Sequence, residues 1–115
     1  MKVRLRGRFE AGKSNVRGWL RADEDYLVLA IEVASDGNVL FRIASLQGTP
    51  ALFEASLFKI TDPRVDEAWI VKYDDSGEIE LVPELWSTPG FWEDFFDGKP
   101  TAVALYHEVL QRKGT

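Results

Sequence analysis

Through its first two thirds the chain alternates apolar and polar side chains with the two-residue period of a half-buried β-strand. Val3, Leu5, Gly7 and Phe9 fall on one face of the first segment, and Lys2, Arg4, Arg6 and Arg8 on the other. The small and polar run 11–15 predicts a loop, 16–21 a second strand with Trp19 facing inward, and 23–25 its turn. Residues 26–33 are rich in β-branched side chains and almost wholly apolar, which predicts a central strand. Asp36 and Gly37 between two apolar runs form a strong hairpin signal, and Val39, Phe41 and Ile43 continue the alternation beyond it. Residues 47–50 break the pattern. Residues 52–60 restore it at Ser56, Phe58 and Ile60, although 52–55 could equally open a short helix. After a turn at 61–63, Trp69, Val71 and Tyr73 alternate with Ile70 and Lys72, and 74–77 close a second hairpin onto Ile79 and Leu81.

The period then changes. Pro83 does not suit a central strand. Thr88 reads as a helix cap with Pro89 at the first helical position. Phe91, Trp92, Phe95 and Phe96 follow at helical spacing, and Gly98 suits a helix C-terminus. Pro100 opens a last helix through Lys113, on which Ala102, Val103, Leu105, Tyr106, Val109 and Leu110 form one apolar stripe. Leu85 and Trp86 anchor the connection. The predicted fold is α+β: an antiparallel β-meander of six or seven strands followed by two C-terminal helices packed on the sheet. One domain is expected over residues 1–115, with 1–82 forming the sheet part and 88–113 the two-helix part.

Composition narrows the function classes. Hydrophobic residues make up 45% of the 115, too many for a mainly disordered chain. There is no cysteine and one histidine, so no disulfide scaffold, thiolate metal site or cysteine nucleophile is available, and no metal or other cofactor is expected. The longest apolar run, 26–31, is far short of a membrane span, and no apolar signal-peptide core follows the basic start. A cytoplasmic protein without membrane contact is expected.

The net charge of −5 is unevenly spread. Residues 1–22 hold seven cations and one anion, whereas 23–115 hold seven cations and eighteen anions. Lys2, Arg4, Arg6, Arg8 and Lys13 could together contact phosphates, so a small nucleic-acid- or phosphate-ligand-binding module is the alternative reading. Cations on an edge strand also deter edge-to-edge pairing, and pairing with acids of a neighbouring strand would neutralise them. A net acidic body repels nucleic acid, which makes it the less favoured partner.

Residues 7–14 match the phosphate-loop spacing G-x-x-x-x-G-K-S. That chemistry needs a parallel strand leading into a helix, whereas Gly7 falls within a strand pattern and 15–21 read as strand. His107 lies at the border of the last helix's stripe, where it would pack against the sheet, and the adjacent Glu108 points elsewhere. No nucleophile–base pair can be assembled from these residues, so no enzyme is expected. The acids instead gather as 23–25; as Asp74, Asp75, Glu78 and Glu80; and as Glu93, Asp94 and Asp97. Their excess over local cations, with Trp86 or Trp92 as an aromatic anchor, predicts a docking surface for a basic protein.

The segment 81–105, LVPELWSTPGFWEDFFDGKPTAVAL, together with the acidic, cysteine-free plan of strands followed by helices, resembles the small immunity proteins of bacterial polymorphic and contact-dependent toxin systems. The resemblance implies a non-enzymatic inhibitor in bacterial competition, which binds a cognate toxin domain, often a basic nuclease, and blocks its active site or substrate channel. It assigns no interface residues and leaves the oligomeric state open.

Overall fold

A computed structural model describes residues 1–6 and 19–113. Among these residues the seven strands are β1 (Lys2–Leu5), β2 (Tyr26–Val33), β3 (Val39–Ala44), β4 (Pro50–Glu54), β5 (Phe58–Asp62), β6 (Trp69–Tyr73) and β7 (Ile79–Pro83). Two helices follow, α1 (Phe91–Phe96) and α2 (Pro100–Lys113). This is the predicted α+β plan, with every strand pair antiparallel. The whole phosphate-loop match at 7–14, with Arg8 and Lys13, the expected loop at 11–15 and positions 16–18 of the expected second strand lie outside the described residues. Residues 19–21 are not strand, and Trp19 is 42% exposed while Leu20 is buried. Residues 52–60 divide into β4, one 3-10 turn at Ala55–Leu57, and β5.

Pairing departs from a strict sequence of neighbours. The order is β4-β3-β2-β1-β5, and β7, carrying β6, also pairs with β2. β1 therefore lies between β2 and β5 and is not the edge strand its cations suggested. One edge of β2 is shared: Tyr26 and Leu27 face β1, whereas Ile31–Val33 face β7. In a flat sheet the outer strands of the five-strand path would lie four spacings apart, about 19 Å. Glu54 at the end of β4 and Phe58 at the start of β5 are only four Cα steps apart, at most about 14 Å. The sheet must curl, and Phe41, Phe53 and Phe58 meet inside the curl at centroid distances of 6.0 and 6.4 Å.

A bulge in β2 allows the strand to serve two cores. Val28 pairs with Ile43 and Ala30 with Arg42, which leaves Leu29 as the extra residue. Before the bulge Tyr26 and Val28 join Val3, Leu5, Phe41, Ile43 and Phe58 inside the curl. After it the parity is reversed, so Leu29 and Ala30 both join Val82, Trp86, Phe91, Ala102, Tyr106 and Val109 under the helices.

The helix layer is held by aromatic stacking. Trp86, in a 3-10 turn after β7, is 1% exposed. Its ring stacks on Tyr106 at 5.2 Å and on Phe91 at 6.1 Å, and its indole N–H donates to the Leu105 carbonyl at 3.0 Å. α1 starts two residues later than the Thr88–Pro89 signal: Gly90 caps it at φ 78°, a left-handed conformation suited to glycine, and the Phe91 amide donates to the Thr88 carbonyl. The predicted stripe of α2 faces inward, but His107 is exposed, against the edge of Tyr106 and away from the sheet.

Candidate functional site

The pleat places Lys72, Glu80 and Glu32 in one row across β6, β7 and β2, all on the helix side of the sheet. Two carboxylates stand directly opposite each other there, which is destabilising unless cations flank them. Lys72 approaches Glu80 at 3.7 Å from one side. Arg42 of β3 supplies the second cation. It is 7% exposed, donates to Glu32 Oε2 at 2.9 Å and to the Pro50 carbonyl at 2.8 Å, and lies 4.1 Å above the Trp92 ring. A planar guanidinium suits this position because it stacks and forms hydrogen bonds at the same time. The Trp92 indole N–H donates to Glu80 Oε2 at 3.2 Å, which joins α1 to the same network.

Burial pushes the Glu80 carboxyl above the usual carboxylate range, and the charge of Glu32 adds to the rise. The Trp92 hydrogen bond, Lys72 and Arg42 oppose it. Burial also lowers the Arg42 pKa, against the pull of Glu32 and Glu80, and raises that of the Tyr106 phenol, which Arg42 partly offsets. Arg42 Nε and the Tyr106 hydroxyl are buried with no hydrogen-bond partner among the described residues.

Above this floor is a cleft of about 260 Å³, lined by Glu32, Arg42, Lys72, Tyr73, Asp74, Glu78, Ile79, Glu80 and Trp92. Its outer wall is the β6–β7 turn, where the Asp74 carboxylate accepts from the Ser76 amide and hydroxyl and from the Glu78 amide. The ideal Cβ position at Gly77 is 3.6 Å from Ser35 Cβ, so this turn lies beside the β2–β3 turn that carries Asp36.

Of the acids expected to form a docking surface, Asp74, Glu78 and Glu80 converge on the cleft together with Trp92. Asp75 is exposed in the adjoining turn, and Glu93 and Asp97 are exposed on and after α1. Asp94 pairs with Lys99 at 3.1 Å. Trp86 is a core residue and is removed from the set of surface anchors; its indole ring is the largest fully buried side chain. Glu80 and Trp92 form the floor and wall of the cleft and hold Arg42 and Lys72. Sequence reasoning missed Glu32 and Arg42. Their signal was a charged residue on each of two adjacent apolar strands.

On the basic side, Arg4 is paired with Asp25 at 2.8 Å, and Arg6 donates to the Ser56 carbonyl at 3.1 Å. Lys2 is exposed. Asp25, just before β2, thus answers Arg4 alone, and Glu78 and Glu80 line the cleft instead. Among the described residues no group of three or more His, Asp or Glu side chains has metal-binding geometry, and no helix is long and apolar enough to cross a membrane. No protein-family model, curated protein or solved structure matches this chain.

Proposed function

We propose that the chain is a non-enzymatic binding protein, an immunity protein that neutralises a cognate toxin domain by presenting the acidic cleft between the β6–β7 turn and α1 to a cationic surface. The observation that carries this reading is the charge balance of the cleft. Four carboxylates line it, of Glu32, Asp74, Glu78 and Glu80, against the two cations Arg42 and Lys72. Both cations are engaged internally, Arg42 by Glu32 and Lys72 by Glu80. Asp75, Glu93 and Asp97 extend the negative field onto the surrounding surface. A protein that handles nucleic acid is basic where it meets phosphate. An acidic partner is steered onto that surface quickly and competes with the substrate for it. The resemblance of residues 81–105 to immunity proteins supports the same role.

The test is co-expression with a candidate toxin domain, taken from the C-terminus of a large secreted protein where the upstream neighbouring reading frame encodes one, followed by stopped-flow association of the purified pair. The chain protects growth, and the variant Asp75→Arg/Glu78→Arg/Glu93→Arg associates at least about tenfold more slowly at low salt. Unchanged association kinetics in the triple variant reject the patch, and absence of protection by the native chain rejects the role.

A further inference from the structure

Among the described residues β6 pairs with β7 alone, and none of them pairs with its other edge. The ladder fixes which groups face it. The Glu84 amide donates to the Ala68 carbonyl and the Asp74 amide to the Glu78 carbonyl. Hydrogen-bonded pairs alternate along an antiparallel ladder, so Ile70 and Lys72 direct their backbone groups toward β7, and Val71 and Tyr73 direct theirs outward. The same two residues carry strongly exposed apolar side chains, Val71 at 65% and Tyr73 at 73%. They continue two apolar rows on the sheet face opposite the helices: Val71, Leu81 and Ile31, and Tyr73, Ile79 and Val33. Natural edges usually carry proline or charge at outward positions. The edges of β4 and β5 have Pro50 with Glu54, and Lys59 with Asp62. On β6 the single charge, Lys72, points into the cleft.

We infer that the outer edge of β6 takes an extended, cationic segment of the partner protein as an added antiparallel strand. The inference rests on the binding function proposed above and names the partner's chemistry. Backbone groups of Val71 and Tyr73 supply the hydrogen bonds, and alternate side chains of the incoming strand cover the apolar rows. Acids stand at both ends of the edge, Glu67 before β6 and Asp74 and Asp75 after it. The segment therefore carries apolar residues opposite Val71 and Tyr73 and cations at its two ends. The same charges disfavour a second copy of this chain. Self-pairing centred on Val71 sets Asp75 against Glu67 of the other copy, and a Val71–Tyr73 register sets Lys72 against itself. Centring on Tyr73 places Val71 against Asp75.

The test uses the peptide Arg-Lys-Val-Thr-Val-Thr-Thr-Lys-Arg, amide hydrogen exchange by NMR, and the variant Val71→Pro. Proline there removes one outward N–H and leaves the β7 ladder intact. The peptide slows exchange at the Val71 and Tyr73 amides, and Val71→Pro weakens its binding about tenfold. No binding at about 1 mM, or protection at other amides only, overturns the inference. Concentration-dependent dimerisation of the native chain that Val71→Pro abolishes also overturns it, because the occupant is then a second copy. In co-expression, Val71→Pro weakens protection against the toxin. If that variant protects fully while the triple charge reversal does not, strand addition fails and the binding function stands. If both protect fully, the acidic surface itself is refuted.

Discussion

Replacing Arg42 by Met tests the physics of the site most directly. The substitution keeps an apolar stem over Trp92 and removes the guanidinium that holds Glu32 at 2.9 Å and the Pro50 carbonyl at 2.8 Å. Glu32 and Glu80 then face each other in the β2–β7 ladder with Lys72 alone, at 3.7 Å from Glu80, to offset them. Breaking one partner of a buried ion pair costs about 3–5 kcal/mol, because the other charge is left uncompensated. A chain of this size has a total stability of roughly 6–17 kcal/mol, so the variant still folds in most of that range, but its Tm falls by about 12–20 °C.

The loss depends on pH, and its sign is fixed. The Glu80 pKa is raised in the native state, so the folded form holds that proton more tightly than the unfolded chain does. Stability from this group is fully present below the unfolded carboxylate pKa and is lost as pH rises through the higher folded value. Arg42 is one of the cations that limit the rise. Its removal raises the folded value further, so the deficit of Arg42→Met relative to the native chain shrinks as pH falls from neutral into the carboxylate range. Urea unfolding followed by tryptophan fluorescence at several pH values measures this. Glu32→Gln in the Arg42→Met background recovers more than half of the loss at pH 7.5. A deficit below about 1 kcal/mol, or one that does not shrink as pH falls into the carboxylate range, would refute the account of a charge-balanced row.

Two further outcomes follow from the helix layer. Trp86→Ala removes the ring stacked on Phe91 and Tyr106 and its bond to Leu105, and costs about 3–5 kcal/mol by urea denaturation; a loss under 1 kcal/mol would show that the layer collapses onto the gap. Tyr106→Phe removes a buried hydroxyl that lacks a partner among the described residues, so stability is unchanged or rises by up to about 1 kcal/mol, and a Tm decrease would show that the hydroxyl is satisfied in solution.

Local pattern in this sequence determined the kinds of element and most of their places. The hairpins around Gly37 and Gly77, the central strand at 26–33 and the stripe of α2 follow from period and turn chemistry, which act between near neighbours. Tertiary structure decided what no local pattern carries. The order of the strands places β1 inside the sheet, where alternation alone is compatible with an edge. The bulge at Leu29 reverses the parity of β2, so Leu29 and Ala30 share a face that strict alternation would separate. Trp86 and Trp92 belong to the same aromatic run, yet one is core and the other a wall of the cleft, because only the path of the 3-10 turn and α1 over the sheet distinguishes them. Arg42 and Glu32 are ten residues apart and lie on different strands; their ion pair exists because β2 and β3 pair in one register and α1 closes over them. The acids were legible as an excess of charge, a property of composition. The balance that makes them a cleft depends on long-range contacts, which a one-dimensional pattern does not hold.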